Sequence, residues 1–316
     1  VTGSGKTFVM ASLIEKLQKN SVILDEIVQI KAGLKAYEKG KGNPKQSEED
    51  VKNRIYDYNY KFNENTYKYL DGKDVGRYFI SWNGLFLKYG DILAAPRTFD
   101  LFSSEKIIIR EITGKYPKSI ISTYSDEIYL FNMSNISINK KLNKSIDLKY
   151  ITVVLNSSLM SYYFINNTAK AVRQMFPKII LQDLRQFPFK EINLKEQEPF
   201  IQKADLMLEL NKKLQELKQN FINELNLEKV PTKLQKFEEL DFDDFVKEYA
   251  KAKKLKFADK LEERNFKNEW QRLFENDKKE VLEIQNQINI TDKEIDQMVY
   301  KLYDLTPDEI KIIEGN

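Results

Sequence analysis

Apolar positions fall into three regimes along the chain. Near the start, Val9, Leu13 and Leu17 stand four apart, with Met10 and Ile14 beside them, and this spacing predicts a helix over 7–19. Ser21–Leu24 reads as a short strand. Residues 28–47, with Gly33, Gly40, Gly42 and Pro44, read as loop, and 48–60 as a short helix. From 67 to about 140 the apolar runs become short and are bounded by Gly, Pro, Asn and Asp. Strands are predicted at Tyr78–Ile80, Leu85–Leu87, Lys106–Arg110, Ser119–Thr123 and Ile128–Asn132, joined by turns such as Asp71-Gly72 and Asn83-Gly84. The β-branched run Ile107-Ile108-Ile109 marks its strand as buried. Residues 147–168 return to helical spacing, and Phe187-Pro188 closes this region.

The third regime is helical. Phe200, Ala204, Met207, Leu210, Leu214, Leu217, Phe221 and Leu225 form a near-heptad stripe over Glu196–Leu225, with charges on the other faces. Such a helix is roughly 45 Å long and needs a partner along its stripe. An intramolecular helical hairpin is favoured over a coil between subunits. Pro231 interrupts the chain, helical spacing resumes at Leu240–Tyr249 and Phe266–Ile290, and Thr306-Pro307-Asp308-Glu309 signals a last helix start.

At 316 residues the chain has room for two domains. With 41% hydrophobic and 12% aromatic residues it can form cores, so wholesale disorder is excluded. It contains neither cysteine nor histidine. Disulfides, thiol nucleophiles, Ser-His-Asp catalysis and the usual zinc ligands are thereby excluded. No apolar run is long enough to span a membrane and no leader pattern is visible, so a cytoplasmic location is expected. The net charge of +3 conceals a division. Residues 28–190 carry 26 Lys and Arg against 16 Asp and Glu, whereas 191–316 carry 22 against 29. The basic stretch also holds 14 of the 17 tyrosines, and cations interleaved with rings fit a nucleic-acid face as well as a tyrosine-rich β core. Trp82 and the alternating Tyr56, Tyr58 and Tyr60 are expected in the core or at its rim. The acidic run Glu238-Glu239, Asp241 and Asp243-Asp244 is expected to be a solvated face, and no catalytic or metal-ligating set is assigned.

Gly3-Ser4-Gly5-Lys6-Thr7 matches the end of a Walker A loop, in which backbone amides and a helix start hold phosphates, Lys6 reaches the outer phosphates and Thr7 holds magnesium. Val22-Ile23-Leu24-Asp25-Glu26 mimics a Walker B strand. It follows after only about 15 residues, too few for a nucleotide-binding sheet between them. Gly3, Gly5, Lys6 and Thr7 therefore stand as nucleotide-binding candidates in a P-loop-like stub, 1–27, that resembles helicase and restriction-motor loops.

Five segments in order carry a further resemblance. "EIVQIKAGLKAY" from Glu26, "YKYLDGKDVGRYFI" over 67–80, "EKIIIREI" over 105–112, "LKYITVVLNSSLMSYYF" over 148–164 and "LRQFPFKEINLKEQEPFI" over 184–201 resemble the target recognition domain of TaqI-like adenine DNA methyltransferases, which also ends type IIG restriction–modification enzymes. The tail 230–316 resembles the C-terminal extension of type IIG enzymes. The methylase signature Asn/Asp-Pro-Pro-Tyr/Phe is missing, as is an S-adenosylmethionine glycine loop. The resemblance implies an α+β fold: a mixed, β-rich target recognition domain over 28–190, then a long helix and a helical C-terminal tail over 191–316. It implies sequence-specific binding of duplex DNA, with a methyltransferase, alone or beside a nuclease or motor, on another domain or subunit. No cofactor is expected in this chain, while S-adenosylmethionine and magnesium are expected for the parent enzyme. The alternative is a fragment of an ATP-dependent translocase or restriction endonuclease. By the resemblance, Lys31, Gly33, Lys35, Lys39 and Lys41 approach DNA, joined by Arg77, Tyr78, Arg97, Lys115, Lys118, Arg173, Gln174 and Lys178. Each of these also has an ordinary structural role open to it, as a surface loop, an ion pair or a core position.

Overall fold

The computed structural model describes residues 3–19, 21–168 and 177–315, so Arg173 and Gln174 lie outside the described residues. The chain forms two compact units, one of residues 1–205 and 294–316, the other of residues 206–293. The boundaries expected after residues 27 and 190 do not coincide with these. The first 27 residues are no separate stub. In α1 (Gly3–Lys19) Leu13 and Leu17 are buried, as are Leu24 and Ile27 in α2 (Leu24–Ile27). β1 (Val22–Ile23) pairs antiparallel with β12 (Pro188–Phe189). The tail divides as well: Ile295, Val299, Tyr300 and Tyr303 are buried within the first unit, where the Tyr303 hydroxyl donates to the Pro188 carbonyl at 2.9 Å.

Two four-stranded sheets build the β-rich part of the first unit. One has the order β2 (Val28–Ala32), β11 (Asn135–Lys140), β8 (Lys106–Arg110), β9 (Ser122–Ser125), antiparallel throughout. The other has the order β10 (Leu130–Phe131), β4 (Thr66–Leu70), β7 (Phe86–Lys88), β3 (Asp57–Tyr58), with β10 and β4 parallel. A small ribbon joins β5 (Val75–Gly76) to β6 (Phe79–Ile80). Leu34, Leu70, Val75, Leu87, Leu93, Phe102, Ile108, Leu130 and Phe131 form one buried apolar cluster.

The strand Lys106–Arg110 stands where the spacing predicts it, and the other predicted strands are displaced or shortened. Of the strands not foreseen, two are the most informative. Residues 28–32 are a strand and not loop, because Val28 and Ile30 turn inward while Gln29 and Lys31 face solvent. Asn135–Lys140 is concealed by its polar residues. Asn135, Ser137 and Asn139 are buried, and the Ser137 hydroxyl donates to Asn139 Oδ1 at 2.7 Å. Likewise 48–60 is not one helix: α3 (Glu48–Asn53) stops at Arg54, which takes a left-handed conformation, and the chain enters β3.

The helix expected over 147–168 is two, α5 (Leu148–Leu155) and α6 (Ser158–Asn167). Asn156, still helical at the end of α5, exchanges side-chain hydrogen bonds with Ser122, and the chain turns extended at Ser157, whose hydroxyl caps α6. Short helices α4 (Asp100–Ser103) and α7 (Leu181–Arg185) complete the connections, and α11 (Pro307–Glu314) opens with the Thr306–Glu309 capping box the sequence signals. The second unit holds most of α8 (Leu194–Glu224), then α9 (Phe242–Lys253) and most of α10 (Lys260–Leu302). The apolar stripe is covered intramolecularly, as expected. Phe221 stacks on Phe237 with ring centres 3.9 Å apart, and Phe245 stacks on Phe274 at 4.7 Å.

Candidate nucleic-acid interface

Strand register decides which loops come together. Ala32 pairs with Ile136, Asn135 with Arg110, and Ile109 with Ser122. The chain after β2, before β11, after β8 and before β9 therefore all meets at one end of the sheet. β4 and β10 finish at the same place, since the Asn132 side chain donates to Asp71 Oδ1 at 2.9 Å and the Leu34 amide donates to the Phe131 carbonyl at 2.9 Å. This bond from Asn132 is the chief reason the Asp71 carboxyl is held below the usual carboxylate range.

The loop 33–47 is rigid at this end. Gln46 is buried beneath it, accepting the Glu38 amide and donating to the Ala36 and Ile92 carbonyls at 2.9 and 2.8 Å. Backbone bonds tie Lys35 to Ala95 and Asn43 to Asp91. On this braced loop Lys41 and Lys45 are exposed with no carboxylate in ion-pair range among the described residues, and the same holds for Lys31, Lys73 and Lys115. Lys35 and Lys39 are exposed too, but lie against Glu38 at 2.8 Å and Glu48 at 2.7 Å. Exposed pairs of this kind are weak, so an arriving phosphate competes for both lysines.

At the opposite end of the sheet the cations are spoken for. Lys140 meets Glu105 at 2.6 Å, and Lys106 is buried with its ammonium donating to the Ser104 and Glu127 carbonyls at 3.0 and 2.7 Å. Burial lowers the Lys106 pKa to about 8. Polyanion attraction is therefore concentrated at the first end.

The other expected site residues separate into groups. Arg97 is exposed at this end but takes φ +65° and donates through Nε to the Gly33 carbonyl at 3.2 Å, a loop brace. Gly33 serves the protein's own packing: a Cβ there would stand 2.2 Å from the Asn132 oxygen and 2.4 Å from that of Phe131. Arg77 is half-buried and donates to the Asn156 carbonyl at 3.0 Å, so it holds the break between α5 and α6. Tyr78 is a core residue with φ +63° and its amide bonded to the Ser122 carbonyl. Lys118 meets the buried Asp296 at 2.8 Å, whose other contacts cap the start of α6 through the Ser158 amide and hydroxyl. Lys178 is exposed and lies 3.2 Å from Glu111. Lys45 and Lys73, both exposed at this end, were not singled out. Lys45 shares the loop of Lys41, and Lys73 stands inside the segment 67–80, so both were within reach of the sequence.

Gly3, Gly5, Lys6 and Thr7 fall within α1, which begins at Gly3. The Walker B-like run has no parallel sheet around it, since β1 pairs antiparallel with β12 alone, and Asp25 faces Arg185 at 3.3 Å. The acidic run near 240 is spread over ion pairs with Lys218, Lys236 and Lys247 and a helix cap at Asp241, and the described residues hold no metal-ligating cluster of His, Cys, Asp or Glu. No helix among them is long and apolar enough to cross a membrane.

One end of the small β-sheet thus presents exposed cations on braced loops, an arrangement suited to a polyanion. Residues 67–189 match the model of the TaqI-like C-terminal specificity domain. Residues 193–299 match a domain of unknown function, DUF8810. No curated protein matches. Among solved structures the chain is similar to a type I restriction–modification S subunit from M. genitalium, at 16% identity and TM-score 0.34 over 65% of this chain and 44% of that one. It is similar to the HsdS subunit from Thermoanaerobacter tengcongensis, at 12% and 0.34 over 74% and 49%. It is also similar to the type IIL enzyme MmeI, solved in complex with DNA, at 10% and 0.38 over 59% and 28%. The chain spans less than half the length of each of these proteins.

Proposed function

We propose that this chain binds duplex DNA sequence-specifically as the target recognition part of a restriction–modification adenine-N6 methyltransferase whose catalytic domain is supplied by another domain or subunit. The observation that carries this is the set of exposed lysines with no carboxylate in ion-pair range among the described residues, on a braced loop end within and beside the matched specificity domain. Lys31, Lys41, Lys45, Lys73 and Lys115 neutralise phosphates, and Lys35 and Lys39 join them on exchanging their carboxylate partners. Base readout falls to the loops between them.

S-adenosylmethionine fits the partner and not these residues. Gly33 and Gly72, which follow β2 and β4 at the lysine-bearing end, are closed, Gly33 by backbone oxygens of Phe131 and Asn132 and Gly72 by Ser134. Magnesium is likewise assigned to the partner machinery.

Titration with duplex DNA at several salt concentrations, with and without ATP and magnesium, tests the proposal. Affinity is expected to fall with salt at a log–log slope of roughly −4 to −8 and to be indifferent to ATP. An absence of binding at low salt overturns it, and binding that needs ATP favours the motor alternative resting on Lys6 and Thr7.

A further inference from the structure

The segment between α3 and β4 carries a feature that phosphate neutralisation leaves unused. Ile55, Tyr60 and Phe62 are 43%, 56% and 48% exposed, three large apolar side chains within eight residues on the edge of a sheet. They are also organised. Tyr58 and Phe62 stack with ring centres 4.7 Å apart, and Tyr60 stands edge-on to both at 6.0 and 6.4 Å. Rings left in water gain little by being held in fixed array, unless the array has a further surface to meet.

The foundation of this ridge is the cationic loop itself. Tyr37, between Lys35 and Lys39, stacks on Tyr56 at 5.8 Å, accepts the Tyr56 amide and donates to Asp57 at 2.8 Å. Arg54 closes on the same carboxylate at 2.5 Å. Asp57 is thus neutralised. Lys52 and Lys61 beside the rings are exposed and unpaired, and Glu64 is the one carboxylate of 52–65 without a cation partner among the described residues.

We propose that Tyr60 and Phe62 form an apolar wedge that packs against bases and deoxyriboses in a groove of the DNA held by the lysine loop. The proposal deepens the DNA-binding function and rests on it. The surrounding cations and the direct connection through Tyr37 select a nucleic acid, and the function proposed above makes it duplex DNA.

The test compares the wild-type chain with Tyr60→Ala/Phe62→Ala, Lys41→Ala/Lys45→Ala and the ring-preserving Tyr60→Phe/Phe62→Tyr on a pool of random-sequence duplexes, at several salt concentrations. Ring removal is expected to weaken binding about tenfold at every salt concentration with the slope unchanged, because ring packing releases no counterions. The ring-preserving variant keeps wild-type affinity, and the lysine variant flattens the slope. Because the rings are exposed, the melting temperature stays at the wild-type value. The single Tyr60→Ser variant repeats the test should the double variant melt early. Unchanged affinity after ring removal overturns the wedge while leaving DNA binding intact, and points to a protein partner on this face. Failure of the wild type to bind duplex overturns both proposals together.

Discussion

At the scale of single residues, one type of side chain serves opposite ends. Lys41 and Lys45 are presented to solvent on a loop fixed by Gln46, whereas Lys106 is sealed inside the sheet. The Lys41→Ala/Lys45→Ala variant should reduce the magnitude of the salt slope by roughly 2, about one for each phosphate left without its lysine, with thermal stability unchanged. Lys106 should show itself in stability and not in binding. Its folded pKa of about 8 lies below the ordinary lysine value of 10.5, so the unfolded chain binds the extra proton between those two pH values. Its penalty is full below pH 8 and is relieved as pH rises toward 10.5. Melting temperatures measured across pH 7–9.5 should therefore rise relative to those of Lys106→Met, and equal slopes for both would contradict the burial argument. Gly33→Ala, by forcing a Cβ onto two carbonyl oxygens, should cost about 2–4 kcal/mol in a denaturant melt. The cations were legible as residue types. Which of them meets a carboxylate was not, because Lys118 and Asp296 stand 178 positions apart and only packing joins them.

At the scale of elements, periodicity was a sound guide wherever one face alone is buried. The stripe of α8 and the Thr306 cap of α11 both stand where spacing puts them. The guide failed where burial is set by neighbouring strands. Asn135–Lys140 reads as polar, yet it lies inside its sheet between β2 and β8, where the Ser137 hydroxyl and the Asn139 side chain bond to each other. The split between α5 and α6 falls at Ser157, which turns extended and caps α6, while the Asn156 side chain beside it is tied to Ser122 across the fold. Asp296 connects α10 to α6 by capping Ser158 while meeting Lys118. Asp296→Ala leaves the buried Ser158 amide and hydroxyl without their acceptor and a half-buried ammonium without this partner, so unfolding should become easier by about 2–4 kcal/mol. Rescue by Asp296→Glu would fail, because the longer side chain cannot reach both groups in place. Equal melting of Asp296→Ala and wild type would show the contact to be incidental.

At the scale of the whole molecule, sequence-local chemistry determined the α+β character, the β-rich middle, the long helix with an apolar stripe in need of a partner, and the division between a basic and an acidic stretch. It determined also that no thiol or imidazole chemistry is available, since those residues are absent. These follow from composition and from periods of two to four residues, which neighbours along the chain suffice to express. Tertiary structure alone decided the compact units, because the last turns of α10 and Leu13 and Leu17 of α1 are buried with the β-rich part and not with the helices of the second unit. It decided that Arg77 and Tyr78 hold the fold while Lys45 and Lys73 face solvent, and that Tyr58, Tyr60 and Phe62 stack into a ridge footed on the lysine loop. The physical reason is common to all of these. Exposure and pairing depend on which distant strands share a register, and a register is fixed by burial of one face against another, a property of the folded chain and of no single stretch of it.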